Sequence, residues 1–158
     1  MRIIVISDTH RDFHTLWEIV QKHRKEADLF LHLGDGEREL DDLLAVDPDL
    51  PLQGVRGNCD FASLRPATEV AFAGDVKIFL CHGHTLYVNA GLDHLVSQAR
   101  ANGCRIALYG HTHRGDVHYE DGIYVMNPGS PSQPRDGKAS YGIIDITDGG
   151  ILPFLVEI

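Results

Sequence analysis

Ile3-Ile-Val-Ile-Ser-Asp-Thr-His10 decides the fold. Residues 3–6 are all β-branched. Such an unbroken run suits a strand covered on both faces, with no position left for water. The chain then leaves the strand through Ser7-Asp-Thr-His10, carrying a carboxylate and an imidazole two residues apart. Asp12 is placed to cap a helix. Phe13, Leu16, Trp17 and Val20 recur at i, i+3, i+4, i+7 and give that helix one apolar stripe. Residues 29–33 read as a second buried strand ending at Gly34-Asp35. Leu40, Leu43 and Leu44 mark a short second helix, closed off by Pro48 and Pro51. Residues 52–55 form a third strand that runs into Gly57-Asn-Cys-Asp60. The order β-α-β-α-β predicts a parallel sheet with helices packed on it.

The texture then changes. Residues 69–73 and 76–81 are two strands joined through Gly74-Asp75, a hairpin signal. The second ends at His82-Gly-His84. Leu92, Leu95, Val96 and Ala99 form a third helical stripe, which Asn102-Gly103 terminates. The apolar run 105–109 stops at Gly110 and is followed by His111-Thr-His113. Residues 116–120, 123–126, 141–146 and 151–156 read as mostly antiparallel strands, separated by turn clusters. The middle of the 128–137 loop is expected to be mobile. A βαβ half followed by hairpins suggests two sheets packed together with helices outside.

Composition narrows the function. With 158 residues and 43% hydrophobic content, one domain over 1–158 with a sizeable core is expected, leaving little room for a capping domain. The 14 basic and 23 acidic residues give a formal charge of −9. That argues against tight binding to duplex nucleic acid, which needs Lys and Arg to displace counterions. It does not exclude a phosphate substrate, because bound cations reverse the local field. Three cysteines without C-x-x-C spacing argue against a disulfide framework and for a reducing cytosol. The N-terminal apolar run is too short for a signal peptide, and no stretch approaches the roughly 18 apolar residues of a membrane span. The expectation is a soluble cytoplasmic protein.

Five strand ends carry the same kind of residue: Asp8 and His10, Asp35, Asn58, His82, and His111 and His113. In α/β sheets, ligands collect beyond the carboxyl ends of strands. Gly34, Gly57, Gly83 and Gly110 stand beside them and permit tight turns and close backbone approach. Two carboxylates, one amide and four imidazoles suit Mn, Fe, Co, Ni or Zn better than a thiolate site would. Seven ligands are too many for one tetrahedral ion. With Asp35 bridging, they supply four contacts to each of two. Two ions about 3.5–4 Å apart clamp an in-line displacement at phosphorus, and a water between them, acidified toward hydroxide, serves as the nucleophile. No serine or cysteine nucleophile is then required.

Asp8-Thr-His10, Gly34-Asp35, Gly57-Asn58, His82-Gly83 and Gly110-His-Thr-His113 resemble, in order, the five motifs of the calcineurin-like metallophosphoesterases. The short length, the Gly-Asn-Cys-Asp form of the third motif and Asn127-Pro-Gly-Ser130 resemble most the small YfcE-type phosphodiesterases. The resemblance implies an α/β fold, a four-layer αββα sandwich of two mixed sheets flanked by helices. It implies that Asp8, His10, Asp35 and His113 hold one metal and Asp35, Asn58, His82 and His111 the other, with Mn²⁺ expected ahead of Ni²⁺, Co²⁺, Fe²⁺ or Zn²⁺. Many superfamily members have a histidine after the asparagine, which protonates the leaving oxygen. Cys59 stands there in this chain. A thiol near pKa ~8.5 is a poorer acid for an alkoxide, so esters with good leaving groups are favoured, or another acid acts. His84 is the candidate for that acid and for a substrate contact. Asp60 is a candidate to orient a ligand imidazole. Cys59 has both a structural and a catalytic reading.

Other residues carry blander readings. His32 reads as a packed or hydrogen-bonded sheet histidine, and His14, His23, His94 and His118 as solvated surface groups. Cys81 and Cys104 read as small core residues. Asn127-Pro-Gly-Ser130 either shapes the site through backbone groups or is a turn. Arg135 either binds a substrate phosphate or is a solvated loop residue. Three functions compete: a metal-dependent phosphodiesterase on a small phosphate ester, with Asn58 and both ions steadying the developing charge; a phosphomonoesterase on a nucleotide or metabolite; and a noncatalytic protein-binding scaffold, like the retromer subunit that resembles this family. The filled ligand set favours an enzyme. Small relatives often pair, so a homodimer is expected.

Overall fold

The computed structural model describes residues 1–158. The elements are β1 (Arg2–Ile6), α1 (Phe13–His23), β2 (Leu29–His32), α2 (Glu37–Val46), β3 (Leu52–Gly54), β4 (Thr68–Ala73), β5 (Val76–Cys81), α3 (Asp93–Ala101), β6 (Ile106–Leu108), β7 (Gly115–Glu120), β8 (Ile123–Pro128), β9 (Ser140–Thr147) and β10 (Gly150–Glu157). A single 3₁₀ turn at His84–Leu86 had no signal in the sequence pattern.

The β-branched run behaves as its composition requires. β1 is the central strand of the order β10-β9-β1-β2-β3, parallel to β2 and antiparallel to β9. Ile3 and Val5 face one side of this sheet, Ile4 and Ile6 the other, and all four are buried. The second sheet has the order β4-β5-β6-β8-β7. Between the sheets, Ile3, Val5, Leu31 and Leu33 meet Ile78, Leu80, Ile106 and Leu108 in one apolar layer. On the outer face of the first sheet, Ile4, Ile6 and Phe30 pack against Leu16, Ile19 and Val20 of α1 and Leu40 and Leu43 of α2. On the outer face of the second, Phe79 and Ala107 pack against Leu95, Val96 and Ala99 of α3. The architecture is the expected αββα sandwich of two mixed five-stranded sheets. Asp12 caps α1 by accepting the Thr15 N–H at 3.0 Å. Leu16 lies in the α1 layer at 1% exposure, so Leu16→Ala costs about 2–5 kcal/mol. No helix is long and apolar enough to cross a membrane.

Three expectations change. β8 is antiparallel to β7 but parallel to β6, so the second half is less uniformly antiparallel than its hairpin signals suggest. His23 is not a solvated surface group. It is buried, with Nε2 2.7 Å from the Tyr141 hydroxyl and Nδ1 2.6 Å from Glu26, because the inner face of α1 turns it onto the sheet. The 128–137 loop is tied down rather than loose over residues 130–135. The Ser130 hydroxyl donates to the Asp8 carbonyl at 2.8 Å, Ser132 donates to the Thr9 carbonyl at 2.8 Å, and the Arg135 N–H donates to the His113 carbonyl at 2.9 Å. Cys81 and Cys104 are core residues, and burial pushes the Cys81 thiol up to about 12.

Candidate metal centre

The polar strand ends of both sheets meet at one place. Asp8, His10, Arg11, Asp35, His111 and His113 all have positive φ, between 44° and 70°. Each costs about 1 kcal/mol or more for a residue other than glycine. Hydrogen bonds hold the turns against that cost. The Asp8 N–H donates to the Gly34 carbonyl and the His10 N–H to the Asp35 carbonyl, each at 3.0 Å. Two glycines are required by close approach. A Cβ on Gly57 would lie 2.0 Å from Asp35 Oδ1, and one on Gly110 2.0 Å from Ser7 Oγ.

The tautomers of two histidines follow from their partners. His82 Nδ1 donates to the Leu33 carbonyl at 2.7 Å, and His113 Nδ1 donates to the Gln133 carbonyl at 2.7 Å. In the neutral rings, each Nε2 therefore presents a lone pair inward. His82 Nε2 lies 3.0 Å from Asn58 Oδ1 and 3.4 Å from Asp35 Oδ2. His113 Nε2 lies 3.0 Å from His10 Nε2 and 3.2 Å from Asp8 Oδ1. In the neutral rings, the contacts of His82 Nε2 with Asn58 and Asp35 and of His113 Nε2 with Asp8 set acceptor against acceptor, an arrangement that a cation stabilises. The separations fit ion–ligand bonds of about 2.1 Å, for which octahedral edges are about 3.0 Å and tetrahedral edges about 3.4 Å.

Each carboxylate keeps one oxygen for the centre. Asp8 Oδ2 accepts from the Ser7 hydroxyl at 2.6 Å and the His111 N–H at 3.0 Å, while Oδ1 is buried with no hydrogen-bond partner. Such an orphaned atom demands an explanation, and an unmodified carboxylate oxygen aimed at three imidazoles has a simple one. Asp35 Oδ1 accepts the Cys59 N–H at 2.8 Å, and its Oδ2 lies 3.7 Å from His10 Nε2. Asp35 thus reaches both groups of histidines, and so does Asp8, whose Oδ1 is 3.8 Å from His82 Nε2. Burial opposes ionisation of Asp8, but His10 and His113 in their protonated forms outweigh it and hold its carboxyl well below the usual range, the place a bound cation would take. Asp35 is shifted the same way, against burial, by His82. Both carboxylates are ionised and concentrated in little space. The residues fit divalent ions.

The other predicted residues lie around this core. Asn58 is exposed at its mouth. The His111 ring is half-buried, its centroid 5.1 Å from that of His82. His84 stands 5.4 Å from His82, with a buried Nδ1 that has no partner, and burial lowers its pKa. Cys59 is exposed, close to His10 and Asp35, and burial of its thiol together with the Asp35 charge raises its pKa. Arg135 exposes its side chain and holds His113 through its backbone N–H. Asp60 contacts no imidazole. It accepts four backbone N–H groups, from Asp35 and Gly57 at 2.7 Å, Glu37 at 3.0 Å and Gly36 at 3.1 Å. It shapes the peptide around the ligands, because its turn points the carboxylate into the uncapped start of α2 rather than at the rings.

Ser132, Gln133 and Glu39 escaped the sequence reading, and Ser130 shapes the site through its hydroxyl rather than through backbone groups. Ser130 and Ser132 hold the Asp8–Thr9 backbone, and the Gln133 carbonyl orients His113. The buried Glu39 accepts from the Thr9 hydroxyl at 2.9 Å and from the Arg11 N–H. The Gly34 N–H donates to His32 Nδ1 at 3.2 Å, which leaves Nε2 to donate to the Thr9 hydroxyl, also at 3.2 Å. The one signal for Glu39 was its place four residues before Leu43, on the face that also carries Leu40, where a carboxylate is out of pattern.

The comparisons agree with this geometry. Residues 1–149 match the calcineurin-like phosphoesterase superfamily domain. The chain is 33% identical to a probable metallophosphoesterase, YsnB, of Bacillus subtilis, over 92% of this chain and 85% of that one. It is 35% identical to phosphodiesterase YfcE of Escherichia coli, over 58% of this chain and 50% of that one. A Streptococcus pneumoniae protein described as a predicted phosphoesterase superposes with a TM-score of 0.83 at 29% identity, over 98% of this chain and 97% of that one. Vps29 of Chaetomium thermophilum shares the fold at a TM-score of 0.77 and 20% identity, over 100% of this chain and 95% of that one. The chain belongs to the calcineurin-like phosphoesterase superfamily, a family of metal-dependent phosphoesterases.

Proposed function

We propose that this chain hydrolyses phosphoric diesters with small, good leaving groups at a centre of two divalent ions. Asp8, His10, Asp35 and His113 would hold one ion, and Asp35, Asn58, His82 and His111 the other. Mn²⁺ is the metal proposed first; the nitrogen and oxygen donors, with no thiolate required, also suit Fe²⁺, Co²⁺, Ni²⁺ or Zn²⁺. The supporting observation is the buried, partnerless Oδ1 of Asp8, surrounded by inward-facing imidazole nitrogens. When bound, such a pair of ions supplies Lewis acidity at the phosphoryl oxygens and acidifies water.

The chain's own groups then account for selectivity. Asn58, at the mouth, is placed to steady charge on the phosphoryl group. Neither proton source is strong. Burial lowers the His84 pKa and so disfavours its protonated form, and the raised pKa of Cys59 makes its thiol a weaker acid. A leaving group that departs as a stable anion needs no strong acid, which supports the activated-diester reading. The filled ligand set supports an enzyme over a scaffold despite the fold shared with Vps29.

The test is hydrolysis of bis(p-nitrophenyl) phosphate and p-nitrophenyl phosphate by chelator-stripped protein, across a series of divalent ions. Activity returns with Mn²⁺ and is greater on the diester. A greater rate on the monoester would favour the phosphomonoesterase reading. No activity with any ion would sink the enzyme reading and leave the scaffold.

A further inference from the structure

A cleft of about 400 Å³ opens beside the metal centre, past His10 and Asp35. Its size suits a small organic ligand. Five carboxylates line it, Asp35, Glu37, Glu39, Asp41 and Asp60, and each is already engaged, Asp35 by the Cys59 N–H and the candidate centre. Glu37 accepts from Ser63 at 2.7 Å and pairs with Arg65, and Asp41 pairs with Arg65 at 3.2 Å. Glu39 is taken by Thr9 and the Arg11 backbone, and Asp60 by its four N–H groups. Arg11 and Arg38 line the same cleft, and their guanidinium groups make no ion pair and no side-chain hydrogen bond. A smaller adjoining cavity is lined by both arginines, so they stand close together. Asp42 also faces that smaller cavity. Phe61, 88% exposed, also lines the cleft.

We infer that this cleft receives one arm of the substrate, and that the arm carries an aromatic ring for Phe61 and a second phosphate for Arg11 and Arg38. The inference rests on the phosphodiesterase reading and names its substrate class: a nucleotide diester with a further phosphate, whose other arm is the good leaving group. Guanidinium forks match phosphate oxygens in pairs, and two unpartnered ones beside each other suit a dianion. An exposed aromatic side chain offers a stacking face to a base. A simple alkyl or aryl diester would use neither.

The experiment is isothermal titration of the full chain in Mn²⁺, with adenosine 5′-diphosphate and inorganic pyrophosphate as probes. Arg11→Ala/Arg38→Ala is expected to weaken adenosine diphosphate at least tenfold, and the double lysine variant to retain most of the affinity. Phe61→Ala is expected to weaken adenosine diphosphate at least threefold and pyrophosphate less than twofold. All three positions are on the surface, so the variants should fold, as circular dichroism would check. Unchanged adenosine diphosphate affinity in the double alanine variant overturns the inference, as does equal weakening of both probes by Phe61→Ala. Hydrolysis of bis(p-nitrophenyl) phosphate by the same wild-type preparation separates the two readings. If it is inactive while the alanine variants lose the nucleotide, the cleft assignment stands and the phosphodiesterase reading fails. If it is active while nucleotide affinity is unchanged, the cleft assignment alone fails.

Discussion

Asp60 reaches back twenty-five residues to accept the backbone N–H of Asp35 at 2.7 Å. The same carboxylate takes the N–H groups of Gly36, Glu37 and Gly57, so one side chain joins the ends of β2 and β3 to the first turn of α2. A negative charge at a helix start is stabilising in itself. Asp60→Asn keeps the shape but turns an amide donor toward backbone donors. It is expected to destabilise the fold by about 2–4 kcal/mol in urea denaturation. Metal affinity should fall tenfold or more in a titration of stripped protein. If both quantities match the wild type, Asp60 does not organise the centre.

Asp35 lies between the two groups of histidines, 3.7 Å from His10 and 3.4 Å from His82. Asp35→Asn removes the charge both ions would share. Elemental analysis should find metal content reduced from two ions per chain to one or fewer. A variant that keeps two would refute the shared role.

His32 gives the fold a pH dependence of known sign. It is fully buried, and burial pushes its pKa down to about 4, from about 6.5 in the unfolded chain. The folded form therefore binds fewer protons than the unfolded form between those values. Its contribution is complete above pH ~6.5 and is lost as pH falls toward 4, by up to about 3 kcal/mol. His32→Gln should show a shallower fall in urea midpoint between pH 7 and 4. Parallel pH curves for variant and wild type would remove this assignment.

Gly110 is needed for the space it leaves. A methyl group there would meet Ser7 Oγ at 2.0 Å and Asp8 Oδ2 at 2.8 Å, and the Ser7 hydroxyl is what holds that oxygen. Gly110→Ala is expected to cost about 1–3 kcal/mol of stability through overpacking. It should weaken metal binding more than Gly74→Ala does, although Gly74, unlike Gly110, has positive φ, because a Cβ at Gly74 meets nothing within 4 Å. Equal metal affinities in the two variants would contradict this.

Local pattern was enough for much of the architecture. Ile3 to Ile6 required cover on both faces, and the sheets and helices supply it. Asp12 announced its helix, and Gly74-Asp75 its hairpin, with Ala73 opposite Val76. The polar strand ends were visible because ligand types recur beside glycines at the points where apolar runs stop. What pattern cannot carry is direction and partnership. The parallel pairing of β6 with β8 depends on which neighbour a strand meets. Whether Asp60 faces a ring or a helix start, and whether His23 faces water or Tyr141, depends on how separate segments pack. The same holds for the support under the centre: Glu39, Ser130, Ser132 and the Gln133 carbonyl are ordinary residues in sequence. They acquire their roles because strained left-handed turns at Asp8, His10 and His113 must be held by hydrogen bonds from segments far away in the chain. Residue chemistry and spacing along the chain marked the candidate ligands, and tertiary packing decided which lone pairs face inward.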